Sequence, residues 1–341
     1  MNFIAIKQKY CFKIKVNIDL ISKYIQIIIF LNFRIAWYLN LQIIVPFVVK
    51  MNLMQRIVDN TTSALNYVLN QYWIDCQDPR TKDWFLVDIN PLTFSMIMAS
   101  YVLFAKSFGP QLMKNREAMQ LRPIMLMYNI LMVGLNFYFF LLVVVNCNYG
   151  RHFIDFKYPD RTDISPRAIW ELSIAYWYWW TKFLDLFDTV FFVLRKKYSH
   201  ITFLHLYHHT CVPLFGWLCL KHNAVMPATT LFALINSFIH TIMYSYYALS
   251  ALGPQIRPYL WWKRYLTQMQ LAQFAFGIFY GTLMIFLQKG YPMFWFYFGL
   301  TQPLLFFYLF FDFYKNSYNK SKQNWSYNQN SKYNQDFNNF C

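Results

Sequence analysis

Charged side chains are scarce in this chain. They make up 13% of its 341 residues, where a soluble protein carries roughly 25%. Acidic groups are the scarcer kind, with 15 Asp and Glu against 31 Lys and Arg. Beside 57% hydrophobic and 22% aromatic residues, that scarcity excludes an ordinary soluble domain. Paired cysteines are missing as well. Cys11, Cys76, Cys147, Cys211, Cys219 and Cys341 show no paired spacing, so neither a disulfide framework nor a zinc module is indicated. A formal net charge of +16 would suggest nucleic acid in a soluble protein. Here the Lys and Arg gather at the ends of apolar runs, where they meet anionic headgroups and phosphorylated ligands, and no nucleic-acid partner is expected.

What the chain does have is long apolar runs. Crossing the hydrocarbon takes about 20 mostly apolar residues. Seven segments qualify, at 91–106, 124–145, 174–194, 201–220, 226–252, 265–287 and 292–311. The fold class expected is therefore all-α, a polytopic membrane helical bundle with about seven transmembrane helices. Loops fall at Gly109-Pro110, 151–167, 195–197, 221–223, Gly253-Pro254 and 290–292. Most are short, which makes successive helices antiparallel neighbours.

Basic residues set the orientation, because cytoplasmic loops are enriched in them. The first, third and fifth loops hold Lys106, Lys114, Arg116 and Arg122, then Arg195, Lys196 and Lys197, then Arg257, Lys263 and Arg264. The fourth and sixth hold only Lys221 and Lys289. The segment 51–90 before the first span is then lumenal, and the C-terminus is cytoplasmic. Asn60-Thr61-Thr62 is a glycosylation sequon on the lumenal side. Residues 1–50 carry Lys7, Lys9, Lys13 and Lys15 ahead of an apolar stretch at 25–49 that Arg34 and Pro46 interrupt. They are either an extra span or sequence upstream of a true start at Met51. The tail 315–341, with eight Asn, reads as disordered.

An ionisable side chain costs roughly 2.5–3.5 kcal/mol at the centre of a spanning helix, so each one here is a functional candidate. His205, His208 and His209 stand at i, i+3 and i+4 in the fourth span and share a helix face. A lone histidine in a span is usually a hydrogen-bonded packing residue. Three on one face point to metal ligation or to nucleophilic and acid–base work near neutral pH. The third span places Lys182, Asp185 and Asp188 among Trp177, Trp179, Trp180, Phe183 and Phe187. A carboxylate beside a histidine fixes its tautomer and supports an imidazolium. Asn236, His240, Tyr244 and Tyr247 recur at helical spacing in the fifth span and look like the lining of a polar cavity. In the sixth, Thr267, Gln270 and Gln273 either tie helices together or donate to a ligand carbonyl. Lys263 and Arg264 wait at its mouth for phosphates.

These four clusters, in this order, resemble the very-long-chain fatty acid elongase (ELO) family of membrane condensing enzymes. The family's histidine box is matched by Phe203-Leu204-His205 through His209, and its Asn-His-Met-Tyr motif by Asn236, His240, Met243, Tyr244, Tyr246 and Tyr247. Its Thr-Gln-Gln motif is matched by Thr267, Gln270 and Gln273. The third-span motif matches at Lys182, Asp188 and Thr189 but has Asp185 where the family usually has Glu, a carboxylate one methylene shorter. The resemblance covers 58–314, with the seven-helix domain at 91–314. It implies a 3-oxoacyl-CoA synthase of the endoplasmic reticulum membrane that joins a long-chain acyl-CoA to malonyl-CoA, with loss of CO2 and CoA, and needs no bound cofactor and no metal. Its partners would be acyl-CoA, malonyl-CoA, membrane lipid, a second copy of the chain and other enzymes of the elongation cycle. The residues permit a mechanism in which His208 takes the acyl group and His240 faces the malonyl group. Asp188, His205 and His209 would orient the pair, while Asn236, Gln270 and Tyr244 donate to carbonyl oxygens.

Two rivals predict other patterns. A di-iron desaturase or hydroxylase also clusters membrane histidines, but such enzymes are expected to need about eight in three boxes. This chain has seven in all and one box. His152 and His222 fall in expected lumenal loops, away from the cluster. A seven-helix receptor or transporter would spread polar residues along a path without three stacked histidines.

Overall fold

The computed structural model describes residues 67, 71–147 and 150–319. The extension 1–50, the Asn60 sequon and the tail beyond 319 lie outside the described residues. Two compact units divide the chain. The smaller holds Tyr291–Phe298 with the chain up to Ile74, and the larger holds Asp75–Gly290 and the chain from Gly299. In the smaller, Trp295 packs edge-on against Phe298 at 6.4 Å.

The protein is a helical membrane bundle. Among the described residues there is no strand, only an isolated bridge between Lys157 and Lys289. The long helices are α1 Pro91–Leu112, α2 Arg122–Asn146, α3 Pro166–Leu184, α4 Phe187–Leu194, α5 Phe203–His222, α6 Pro227–Ala251, α7 Lys263–Leu287 and α8 Met293–Tyr314. Three of them, α1, α2 and α7, are long and apolar enough to cross a membrane on length and composition alone. In α3, α5 and α6 the polar residues that dilute the apolar character turn inward: Lys182, His209, Asn236, His240 and Tyr244 are all buried. Outward stand large apolar side chains such as Leu92, Met127, Val145, Trp177 and Phe286. That distribution suits lipid as the solvent.

Helix starts follow from capping chemistry. Asn90 accepts the Thr93 amide at 2.8 Å ahead of Pro91, and Ser165 accepts the Ala168 amide at 3.3 Å ahead of Pro166. Thr202 accepts the His205 amide at 3.2 Å and so opens α5. A short polar acceptor before a proline is a strong N-terminal signal, since proline at the first turn gives up an amide that has no partner there anyway.

The expected spans hold in outline and change at their edges. Gly109-Pro110 is not a loop. The first helix passes through a π-helical stretch at Phe104–Phe108 and runs on to Leu112. Gly109 permits this passage, because a Cβ there would stand 2.8 Å from both the Phe104 carbonyl oxygen and Val193 Cγ1. The third span starts at Pro166 rather than 174 and breaks at Asp185-Leu186 into α3 and α4. Lys221 and His222, expected in a loop, end α5 as buried residues. As the spacing of the cysteines implied, Cys76 and Cys147 form no disulfide, and the Cys147 thiol donates to the Val144 carbonyl.

The two ends of the larger unit differ in chemistry. At the basic end, Lys106 Nζ donates to the Ile201 carbonyl at 3.0 Å, and the Met119 amide to the Leu194 carbonyl at 3.0 Å. At the other end the chain from Asp78 to Ile89 folds over the helices as a plug. Arg80 pairs with Asp78 at 2.7 Å and reaches the carbonyls of Asp160 and Asp163 at 3.2 Å. Lys221 Nζ donates to the carbonyls of Val87 and Ile89, and Thr81 Oγ1 to that of Leu220. Asp78, Thr81 and Val87 are fully buried. With the buried side chains of Asp78, Thr81 and Lys221 partnered, this closure is held by hydrogen bonds as well as by packing.

Candidate active site

The break between α3 and α4 builds the first wall of the site. The Leu186, Asp188 and Thr189 amides bond back three residues rather than four, to the carbonyls of Phe183, Asp185 and Leu186. A three-residue turn brings i and i+3 into register, which puts Lys182, Asp185 and Asp188 above one another. Lys182 Nζ lies 3.3 Å from Asp185 Oδ2 and 3.4 Å from Asn236 Oδ1. It also stands 4.7 Å over the Tyr178 ring, whose hydroxyl donates to Asn236 Oδ1 at 2.8 Å. Asn236 thus serves here as an acceptor fixing the lysine.

Helices α5 and α6 supply the imidazoles. The His205 and His209 rings are 4.2 Å apart, and His208 and His209 5.2 Å apart, so the three-histidine face exists as expected. His205 does more than line it. Its Nε2 meets Thr189 Oγ1 at 2.7 Å, and the Tyr101 hydroxyl reaches the same Oγ1 at 2.6 Å, pinning α5 to α4 and α1. His208 faces α6, with its ring stacked on His240 at 6.4 Å and 27°. His240 Nδ1 stands 3.9 Å from Asp185 Oδ2, beyond hydrogen-bond reach. The short carboxylate at 185 thus stops just below the imidazole. Buried Nδ1 atoms of His209 and His240 have no hydrogen-bond partner.

Tyr244 departs from expectation. Its hydroxyl donates toward Asp185 Oδ1 at 2.8 Å and Asp188 Oδ2 at 3.0 Å, so it is engaged by carboxylates and not held ready for a substrate carbonyl. Asp188 accordingly contacts Tyr244, and Asp185 is the carboxylate nearest His240. Tyr247 packs edge-on against Tyr244 at 5.9 Å and is 38% exposed, at the margin of the site.

The sixth-span residues lie along α7 rather than in the histidine cluster. Gln270 Nε2 lies 3.8 Å from Met243 Sδ, one turn from His240. Gln273 is buried with its Nε2 unpartnered. Thr267 contacts the Lys263 carbonyl and the Tyr318 hydroxyl. Lys263 and Arg264 are exposed, and Arg264 donates to the Tyr314 hydroxyl at 2.7 Å. Phe306 bridges α5 to α7, touching His208 at 5.7 Å and Phe274 at 5.3 Å. At the basic end, burial followed by the charges of Lys263, Lys197 and Arg195 pulls the His200 imidazole below its ordinary value.

A largely apolar cavity of about 100 Å³ lies between α2, α3, α5 and α6. Lys182, Tyr178 and Trp179 line its inner part and His152 and Glu171 its far end. Burial pulls His152 below its ordinary value despite the nearby carboxylates of Glu171 and Asp155. Gly216 lets α5 approach Trp179, since a Cβ there would collide with the indole ring. The indole donates to the Pro213 carbonyl at 2.8 Å. Tyr178, Tyr101 and Phe306 were not candidates on sequence. Tyr178 alone had a usable signal, standing one turn before Lys182 on the same face; the other two come from distant helices.

Residues 84–326 match the family described as ELO: GNS1/SUR4 family. Very long chain fatty acid elongase 7 of Rattus norvegicus is 38% identical over 273 residues, which is 78% of this chain and 93% of that protein. Very long chain fatty acid elongase 4 of Mus musculus is 38% identical over 247 residues, 72% and 78% of the two chains. Very long chain fatty acid elongase 5 of Tachysurus fulvidraco is 37% identical over 263 residues, 75% and 86%.

Proposed function

Because this chain belongs to the ELO family and is an enzyme of fatty acid elongation, we propose that it is the 3-oxoacyl-CoA synthase of the cycle, joining a long-chain acyl-CoA to malonyl-CoA. The observation that carries the reading is the stacking of His208 and His240, from two helices, inside the bundle. His208 attacks the acyl thioester carbon; a C–N bond forms, the C–S bond breaks, and CoA leaves with the proton that His208 gives up. Malonyl-CoA then binds against His240. Loss of CO2 leaves an electron pair on its α-carbon, which attacks the acyl carbon and frees His208, giving 3-oxoacyl-CoA two carbons longer. His205, held by Thr189, and His209 position His208, and the reaction needs no bound cofactor.

The acyl tail enters the cavity lined by Lys182, whose ammonium is held by Asp185 and Asn236. The plug at Asp78–Ile89 supports a lumenal closure of that end, and the basic end, with Lys263 and Arg264, then meets the CoA phosphates from the cytoplasm. Residence in the endoplasmic reticulum membrane, a cytoplasmic C-terminus, glycosylation at Asn60 and association with other elongation enzymes belong to the same reading. Incubation of His208→Ala with labelled acyl-CoA tests it: loss of both acyl-enzyme and malonyl-dependent product is expected, and a fully active His208→Ala enzyme ends the proposal.

A further inference from the structure

The condensation drawn above consumes a proton. Acyl-CoA and the malonyl-CoA carboxylate become neutral CO2, 3-oxoacyl-CoA and a protonated CoA thiol, so one hydrogen must enter for each turnover. In the first half, the proton that His208 loses goes to CoA, and nothing enters. In the second, the C–N bond to His208 breaks and its electron pair stays on the imidazole nitrogen, which must then be protonated. The incoming hydrogen is needed there, inside the bundle.

The structure holds a group suited to supply it. Tyr244, fully buried, points one hydroxyl at two carboxylates, Asp185 Oδ1 at 2.8 Å and Asp188 Oδ2 at 3.0 Å. A phenol has a single hydrogen to donate. It satisfies one ionised carboxylate and leaves its oxygen lone pairs facing the other, a repulsive contact unless that second carboxyl carries a hydrogen of its own. Charge counting agrees. Lys182, at 3.3 Å, neutralises Asp185, and no cation within salt-bridge distance does the same for Asp188 among the described residues. The other titratable groups facing the unit are Tyr128 and Tyr247, each edge-on to Tyr244 at 5.9 Å, Tyr101 on the neighbouring Thr189, His240 with Nδ1 at 3.9 Å from Asp185 Oδ2, and His208 stacked beyond it; the Tyr128 hydroxyl gives its hydrogen to the Leu184 carbonyl. A half-buried carboxylate without a counterion in such surroundings is disfavoured.

Resting on the acyl-His208 reading, we propose that Asp188, Tyr244 and Asp185 form a proton store that recharges His240 during the malonyl half of the reaction. In the resting state Asp188 donates to the Tyr244 oxygen and Tyr244 donates to Asp185. As the bond from the acyl carbon to His208 breaks, His240 passes a proton to the departing imidazole. The Asp188 hydrogen moves to Tyr244 while the phenol hydrogen moves to Asp185. Rotation of the Asp185 carboxyl then brings that hydrogen to the unpartnered Nδ1 of His240, and the ring turns over before the next turnover so that the hydrogen again faces His208. Asp188, only partly buried, regains a proton from water once the product has left. Asp188 and Tyr244 touch no substrate in this scheme and act through His240.

The test separates the two half-reactions in purified enzyme. CoA release from acyl-CoA alone reports the first, and 3-oxoacyl-CoA formed in one turnover after adding malonyl-CoA reports the second. Asp188→Asn keeps a hydrogen-bond donor facing Tyr244 but cannot release a proton. It should slow the second half more than tenfold, with much less effect on the CoA burst. In the unaltered enzyme, D2O should slow the second half about twofold or more, beyond any slowing of the first, where the His208 hydrogen also moves to CoA, and this arm needs no folded variant. Equal slowing of both halves in Asp188→Asn, no slowing at all, or the absence of a solvent isotope effect on the second half overturns the store. No CoA burst in the unaltered enzyme refutes the acyl-His208 reading itself, and the store with it.

Discussion

Replacing Lys182 with methionine removes one half of an ion pair whose side chains are each 4% exposed, with nitrogen and oxygen 3.3 Å apart. At an effective dielectric of about 20, charges at that spacing attract by about 5 kcal/mol. Desolvation opposes nearly all of this, so the intact pair contributes little net stability, whereas a half-pair leaves a buried charge without its counterion and costs about 3–5 kcal/mol. Lys182→Met should therefore destabilise by about that amount, with Asp185 left to the Tyr244 hydroxyl. Asp185→Leu should cost a similar amount, softened by the Asn236 oxygen and the Tyr178 ring that still hold the ammonium. The double replacement, two apolar side chains in place of two charges, should recover about 2 kcal/mol or more relative to either single one. Thermal unfolding in detergent, followed by a dye that reacts with thiols such as that of Cys219 as they emerge, reads all four proteins, since Cys219 is free and buried in the fold. Additive losses in the double variant would refute the claim that lysine and carboxylate form one energetic unit.

Gly216→Ala should cost about 1–3 kcal/mol by overpacking, because the new methyl collides with Trp179, which is buried and bonded to Pro213. As both residues line the cavity, the product profile of cells expressing the variant should shift to shorter acyl chains, and an unchanged profile at normal expression counts against the cavity as the path of the tail. Arg80→Ala strands Asp78, which is fully buried, at a cost of about 3–5 kcal/mol. Limited proteolysis of opened microsomes should then cut the plug faster than in the unaltered protein; equal cutting rates would mean that other bonds, such as those of Lys221 to Val87 and Ile89, carry the closure.

The spans were legible because lipid imposes a simple length and polarity requirement, and the polar faces because helical spacing turns i, i+3 and i+4 into neighbours. On that basis His205, His208 and His209 were expected together, as were Asn236, His240 and Tyr244. Other features depend on contacts between distant segments. The π-helical stretch at Phe104–Phe108 and the helical course through Gly109 require knowing that Val193 passes there. The break at Asp185-Leu186 carries no proline or glycine to announce it; the carboxylates at 185 and 188 both reach Tyr244 across it. Tyr101 joins the site only through Thr189, 88 residues away in the chain.

Partnering separates the roles within the cluster. In hydrocarbon a buried polar atom without a partner is costly, and most of these atoms have one. Lys182, Asn236, Tyr178, Thr189 and Tyr101 are bonded to one another or to the histidines, and they read as framework. Other buried polar atoms without a partner, such as Asn136 Oδ1 and Trp180 Nε1, occur elsewhere in the bundle. Around the His208–His240 stack, however, two imidazole nitrogens are unpartnered at once, Nδ1 of His209 and Nδ1 of His240. An imidazole set only to tie helices together would spend both nitrogens on neighbours. One that must accept and release protons during turnover has to keep a nitrogen uncommitted, and the energy lost by leaving it so is recovered in the transition state. The unpartnered nitrogen of His240 and the doubly shared hydroxyl of Tyr244 thus answer the same requirement, a hydrogen that can move at the moment the acyl group does.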